Sequence, residues 1–210
     1  MQTWNDIYGR TFEAEVVSKN PALVRLRNSE GKEIDFQIMQ LSPESQNQVR
    51  NWVDKDKKGA EPTEFVKGFK DDLVILDGKS LTQSKDPNIG DVKYFAFYRS
   101  ASWCGPCRNF TPDLVKFYNR TKKKHPEFEL IFMSSDRSEK AMEDYMKDDN
   151  MKWPAFKFGE HKSVVRSYGN GIPCLIVTDA SGNKLFDSYT KDGKYIGPKA
   201  VIREIENLLE

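Results

Sequence analysis

Long apolar runs are missing from this chain of 210 residues. The longest compact ones, residues 94–98 and 130–133, have the length of strands, whereas a membrane-spanning helix needs about 20 apolar residues. Residues 1–4 also lack the basic and apolar regions of a secretory signal. The sequence therefore predicts neither a transmembrane segment nor a signal peptide.

An excess of charge of one sign is missing as well. The 33 Lys and Arg residues nearly match the 32 Asp and Glu residues, so the formal net charge is +1. Non-specific binding to a nucleic-acid backbone requires a surplus of cations. We therefore expect no nucleic-acid partner.

Cysteine is scarce, with three residues in the chain. That number is too small for the disulfide framework of a small secreted domain. Two of the three, Cys104 and Cys107, form a C-x-x-C pair. This usage indicates cysteine chemistry at one place in the chain.

The first part of the chain reads as a small β domain. Residues 11–18, 22–27 and 33–38 alternate apolar and polar side chains, as half-buried strands do. Ser42 and Pro43 then begin a short helix that runs to about residue 54. We predict a domain over residues 1–54 and a charged linker over residues 55–68; a surface loop within one domain is the alternative.

Residues 69–210 alternate strand and helix patterns, which predicts an α/β domain with a mixed central sheet flanked by helices. The patterns predict five strands, at residues 72–76, 92–98, 128–134, 174–178 and 184–189. They predict four helices, at residues 104–124, 138–149, 160–168 and 199–210.

The C-x-x-C pair lies where a buried strand ends and a helix begins. A free thiol has a pKa of about 8.5, and the first turn of a helix stabilises the thiolate. Cys104, at the helix start, is therefore predicted to attack a substrate disulfide, and Cys107, one turn later, to resolve the mixed disulfide. Gly105 and Pro106 keep the turn small, and Trp103 offers a flat contact surface.

Two alternatives stay open for the cysteines. A C-x-x-C pair can be half of a zinc site, with Cys174, His125 and His161 as the other available ligands. Cys174 itself is either a small buried core residue or a third redox-active thiol near the pair. The Trp and Pro around the pair favour redox chemistry, so we predict no metal.

The segment SASWCGPCRNFTP at residues 100–112, with ELIFMSSDRSEKAMEDYM and Gly171-Ile172-Pro173, resembles the tryparedoxin and nucleoredoxin branch of the thioredoxin-fold proteins. The resemblance covers residues 69–210 and implies a thioredoxin fold. It implies that Pro112 kinks the active-site helix and that Ile172 and Pro173 form a cis-proline loop facing the cysteines. In the family, the backbone at the position of Ile172 pairs with an extended substrate peptide.

One departure concerns proton transfer. Thioredoxins proper carry a buried Asp six positions before the first cysteine, and this chain has Tyr98 there. Tyrosine, with a pKa of about 10, is poorly suited to accept the proton of Cys107.

The segment Trp153-Pro154-Ala155-Phe156 resembles an aromatic segment beside the active site of the branch; core packing is the alternative.

Residues 1–54 resemble a Sla-homology domain through Trp4, the segment GRTFEAE at 9–15 and the segment GKEI at 31–34. This resemblance implies an SH3-like small barrel that binds short peptides; a stabilising appendage is the alternative. Such a barrel precedes enzyme domains in some bacterial proteins. We therefore expect an exported, periplasmic protein whose signal has been removed, with a cytoplasmic location as the alternative.

Together these patterns predict a thiol–disulfide oxidoreductase that reduces protein or peptide disulfides through Cys104 and Cys107. Its only redox group would be that cysteine pair, without a further cofactor, and an unidentified electron donor would re-reduce it. The alternative is a non-catalytic adaptor that binds peptides through both domains.

Overall fold

The computed structural model describes residues 1–19, 23–52, 61–78, 80–160 and 171–210. Its strands are β1 Gln2–Asn5, β2 Thr11–Lys19, β3 Leu23–Arg27, β4 Glu33–Gln37, β5 Leu73–Asp77, β6 Ser80–Gln83, β7 Tyr94–Ser100, β8 Phe128–Ser134, β9 Ala155–Phe156, β10 Cys174–Asp179 and β11 Lys184–Asp187. Its helices are α1 Pro43–Asn51, α2 Glu64–Lys67, α3 Gly105–Thr121, α4 Glu139–Asp148 and α5 Pro198–Leu209. The chain divides into two compact units, Met1–Lys58 and Gly59–Glu210.

The first unit is an antiparallel sheet in the order β1-β2-β3-β4, followed by α1. Its core is a separate cluster of buried side chains: Trp4, Ala14, Val24, Leu26, Leu41 and Val49. The barrel expected from the resemblance is not confirmed, because β1 and β4 stay at opposite edges of an open sheet. A single bridge between Asp6 and Leu41 links the segments that follow these two strands.

The second unit contains a mixed seven-stranded sheet in the order β11-β10-β7-β8-β9-β5-β6. Strands β7, β8 and β9 are parallel, while β10 runs antiparallel to β7. The predicted thioredoxin-like α/β fold is confirmed. The central strand β8 is buried at every residue, which explains why its sequence shows no alternation of apolar and polar side chains.

Two clusters of apolar side chains fill this unit. One contains apolar residues of α3, α4 and α5 together with residues of the sheet, and the other contains an aromatic group around Phe69, Phe95 and Phe97. Trp153 and Phe156 are buried in these clusters, and the indole ring of Trp153 packs edge-on against Tyr118. This placement agrees with core packing for the 153–156 segment.

Within the segment predicted as a linker, residues 64–67 form α2. Its Val66 is buried in the same cluster as Phe69. Residues 53–60 lie outside the described residues, as does the predicted helix at 160–168 from residue 161 onward. Strands β1, β6 and β9, each of two to four residues, escaped the periodicity analysis.

Among the described residues, none of the helices combines the length and apolar character needed to span a bilayer.

Candidate active site

Three chain segments meet at one edge of the central sheet. Strands β7 and β8 are parallel, so both end at this edge, with Ser100 paired to Ser134. Strand β10 is antiparallel to β7 and begins there, with Cys174 paired to Arg99. The topology therefore brings together the loop before Cys104, the loop after β8 and the loop that contains Ile172 and Pro173.

Cys104 and Cys107 form a disulfide with a Cα–Cα distance of 5.2 Å. Cys104 is the N-cap of α3, and its Sγ accepts a hydrogen bond from the backbone N–H of Cys107 at 3.2 Å. Pro106 lies in the first turn of α3, where its missing N–H costs no helical hydrogen bond. The sulfur of Cys104 thus lies at the positive end of the helix dipole, where a thiolate is stabilised.

The two sulfur-bearing residues differ in access to solvent. Cys104 is 6% exposed and Cys107 is fully buried. Trp103, directly before Cys104, is 57% exposed, although its indole N–H donates to the carbonyl oxygen of Ser135 at 3.1 Å. Of the two cysteines, Cys104 is therefore the one that contacts solvent, next to the exposed indole ring.

The loop before β10 lies against the cysteine pair. Ile172 packs on the cluster of Ala101, Cys104 and Cys107, and its carbonyl oxygen lies 3.9 Å from Cys104 Sγ. The Ile172–Pro173 peptide bond is cis, as the resemblance implied.

Two tyrosines hold the same loop. The backbone N–H of Gly171 donates to the Tyr189 hydroxyl at 3.0 Å, and the Tyr195 hydroxyl donates to the carbonyl oxygen of Pro173 at 2.7 Å. The sequence analysis did not single out these tyrosines, because they lie beyond β11 and reach the loop only through the fold.

Buried hydroxyl groups occupy the space around the start of α3. Thr111 Oγ1 donates to the carbonyl oxygen of Cys107 at 2.9 Å and lies 2.8 Å from the Tyr98 hydroxyl and 2.6 Å from the Tyr145 hydroxyl. The Tyr145 hydroxyl also bonds Ser100 Oγ at 2.9 Å. Burial raises the pKa of Tyr98 further above its usual value, so the Tyr98 hydroxyl stays protonated at neutral pH.

Pro112 lies inside α3. Arg108, the residue after Cys107, places its guanidinium group 5.2 Å from the centre of the Tyr145 ring and 3.1 Å from Asp149 Oδ2. Its charge is thus engaged with α4.

The third cysteine, Cys174, is completely buried on β10 and lies outside the cluster formed by the pair. Its Sγ lies 3.9 Å from Asp187 Oδ1. Burial, together with the charge of Asp187, raises the pKa of the Cys174 thiol to about 11. The side chain is therefore a neutral thiol at physiological pH.

This pKa gives a labelling prediction. In the reduced, folded protein at about pH 8, iodoacetamide should label Cys104 to completion while Cys174 stays unlabelled, since only the thiolate reacts. Because its pKa is raised to about 11, the Cys174 thiol stays protonated until the pH approaches that value. Mass spectrometry of peptides checks this, with the protein unfolded in guanidinium as the control in which Cys174 reacts. Equal labelling rates for the two folded thiols would contradict it.

The described part of the chain offers no ligands to complete a zinc site. It contains no group of three or more His, Cys, Asp or Glu side chains that could bind a metal ion. His125 pairs with Glu127 at 3.2 Å. His161, the other histidine considered, lies outside the described residues.

Sequence analysis also missed the loop after β8. Asp136 is buried there and accepts hydrogen bonds from the backbone N–H and the hydroxyl of Ser102. A signal was available, because polar residues that directly follow a parallel strand lie at the edge where ligands bind.

Comparisons with known proteins point to one family. Residues 91–184 match the family of thioredoxin-like proteins. Nucleoredoxin from Danio rerio is 34% identical over 140 residues, which cover 63% of this chain and 32% of that protein. Tryparedoxin from Trypanosoma brucei brucei is 34% identical over 135 residues, which cover 60% of this chain and 83% of that protein.

Among solved structures, tryparedoxin II from C. fasciculata superposes with a TM-score of 0.50 at 26% identity, covering 68% of this chain and 92% of that one. The chain spans about a third of the length of the animal nucleoredoxins that it matches.

Proposed function

The chain belongs to the thioredoxin-like proteins of the nucleoredoxin and tryparedoxin type, and from this premise we propose that it reduces protein or peptide disulfides through Cys104 and Cys107. The observation that carries the proposal is the sulfur of Cys104 as the cap of α3, accepting the N–H of Cys107 at 3.2 Å. A helix N-terminus lowers the pKa of a thiol and so supplies the attacking thiolate.

The reaction proceeds in two exchanges. The Cys104 thiolate attacks one sulfur of the substrate disulfide; an S–S bond forms between them, and the other substrate sulfur leaves as a thiolate that takes up a proton. Cys107 then loses its proton and attacks Cys104 Sγ, which releases the second substrate sulfur. Two electrons pass to the substrate, and the protein keeps the Cys104–Cys107 disulfide until an external thiol donor reduces it.

The neighbouring residues take supporting roles in this proposal. Trp103 and the backbone of Ile172 and Pro173 contact the substrate chain on two sides of Cys104. Gly105 and Pro106 keep the turn between the cysteines small, and Pro112 shapes α3. The protonated Tyr98 hydroxyl offers no base, so solvent or the departing substrate thiolate takes the proton of Cys107. No cofactor beyond the cysteine pair is required.

Reduction of insulin by dithiothreitol tests the proposal. The wild-type protein should accelerate the reaction at least about tenfold, and Cys104→Ser should leave only the background rate, since the hydroxyl of serine cannot form the mixed disulfide. Cys174→Ser is the matched control and should keep the wild-type rate. A wild-type rate no higher than that of Cys104→Ser would overturn the proposal and favour a non-catalytic adaptor.

For the first unit, the proposal is a small SH3-like domain of the Sla-homology type that binds short peptides. Its support is an antiparallel sheet with a separate apolar core and several exposed large side chains near one loop. Ile7, Tyr8 and Met39 are all more than half exposed, and the backbone N–H of Ile7 donates to the carbonyl oxygen of Gln40. These side chains offer an apolar surface for a peptide ligand.

A further inference from the structure

The carboxylate of Asp136 connects the two loops that follow β7 and β8. Its Oδ1 accepts the backbone N–H of Ser102 at 2.8 Å and the Ser102 hydroxyl at 2.7 Å, and its Oδ2 accepts the Ser134 hydroxyl at 2.8 Å. The Asp136 backbone N–H donates to Ser134 Oγ at 3.0 Å. Since a buried carboxylate is costly unless it is hydrogen-bonded, these donors fix its place.

Two further bonds tie the same loops together on either side of Ser102. The backbone N–H of Ser135 donates to the carbonyl oxygen of Ser100 at 2.8 Å, and the indole N–H of Trp103 donates to the carbonyl oxygen of Ser135. Residues 100–103 and residues 134–136 are thus joined by hydrogen bonds into one unit. Its only buried charge is the carboxylate of Asp136.

We propose that Asp136 is a positioning residue for the redox pair: its carboxylate holds the turn at Ser102 so that Cys104 Sγ stays at the N-terminus of α3 and Trp103 faces the substrate. The turn leaves Cys104 little freedom, because its backbone N–H already donates to the carbonyl oxygen of Ala101 at 3.2 Å. A shift of Ser102 would therefore move the sulfur relative to the N–H of Cys107. The inference rests on the proposed function, since it concerns the placement of the attacking sulfur.

The test compares Asp136→Ala with Asp136→Asn. Both variants remove the negative charge, but asparagine keeps the Oδ1 acceptor for the two donors of Ser102 and alanine does not. The difference between them therefore reports positioning and not charge. Glu139→Ala, which removes an exposed carboxylate at the start of α4, is the matched control for charge in this region.

Two quantities are measured on the full chain: kcat/KM for insulin reduction, and the pH midpoint for alkylation of Cys104 by iodoacetamide. Asp136→Ala should lower kcat/KM at least about tenfold relative to Asp136→Asn, as misplaced reacting groups do. In Asp136→Ala the pH midpoint for alkylation of Cys104 should be higher than in Asp136→Asn, because the sulfur leaves the helix cap. The alkylation rate at about pH 7 should be at least threefold lower than in Asp136→Asn. Glu139→Ala should match the wild type in both.

Equal kcat/KM and equal midpoints for Asp136→Ala and Asp136→Asn would overturn the inference, while a wild-type protein with no activity would overturn the proposed function instead. A purely structural role would lower the melting temperature without moving the midpoint, and that result also counts against it. If Asp136→Ala does not fold, Ser102→Ala decides, since it removes one donor to Oδ1; a midpoint unchanged from the wild type is then the contrary result.

Discussion

A Cys107→Ser variant mixed with a peptide disulfide should accumulate a covalent adduct through Cys104. The first exchange needs only Cys104, but its product is resolved by Cys107, whose sulfur lies within disulfide distance of Cys104 Sγ. Without that sulfur the mixed disulfide persists, so the adduct should exceed the wild-type level at least about tenfold. Non-reducing electrophoresis and intact-mass measurement check the result.

The design includes two controls for the identity of the attacking sulfur. The double variant Cys104→Ser, Cys107→Ser should form no adduct, because the remaining thiol, Cys174, is completely buried and neutral. The single variant Cys104→Ser should also form none, since Cys107 is fully buried. An adduct of similar yield in either control would mean that another thiol attacks the substrate, contrary to the assignment of Cys104.

The largest effect on stability is expected at Glu129, at the second position of β8. Its buried carboxylate accepts the Tyr118 hydroxyl at 3.0 Å and its neighbour's backbone N–H at 2.8 Å, and it pairs with the Lys122 ammonium group at 2.9 Å. Glu129→Ala removes all three bonds and leaves a partly buried lysine without its carboxylate. The expected loss in free energy of unfolding is about 3 kcal/mol.

Chemical denaturation followed by circular dichroism measures this loss. Glu64→Ala is the matched control, because Glu64 pairs with Lys67 at a similar distance of 2.9 Å but its side chain is 90% exposed. An exposed pair of this kind contributes little to stability, because solvent and salt screen its charges. A loss at Glu129 no greater than that at Glu64 would show that the buried pair adds nothing to stability.

Several parts of the site could be predicted from local sequence patterns. The sequence around Cys104 combines a buried strand, a C-x-x-C pair and a helix start, and each of these depends on neighbouring residues alone. The placement of Cys104 as the N-cap and of Pro106 in the first turn follows from the same local rules. The cis-proline loop at Ile172 and Pro173 came from resemblance and not from any local pattern.

Two features could not be predicted from local patterns: the short strands, and whether the first sheet is open or closed. Strand β9 has two residues and pairs with β8 and β5, which are distant in sequence. Two residues are too few to show a strand periodicity, so the sequence pattern does not predict this strand. The first unit shows strand patterns that would suit a barrel or an open sheet equally well. Whether β1 meets β4 depends on the twist and length of all four strands together.

The sequence alone determined the features on which the proposed chemistry rests: two cysteines at a strand–helix junction, a net charge of only +1 and apolar patterns that alternate between strand and helix. Only the tertiary structure decided which side chains surround that pair. Asp136, Tyr189 and Tyr195 are separated from Cys104 by dozens of residues, and they reach the site because parallel β7 and β8 end at one edge while antiparallel β10 begins there. Contacts of that kind are set by strand order, which no local stretch of residues encodes.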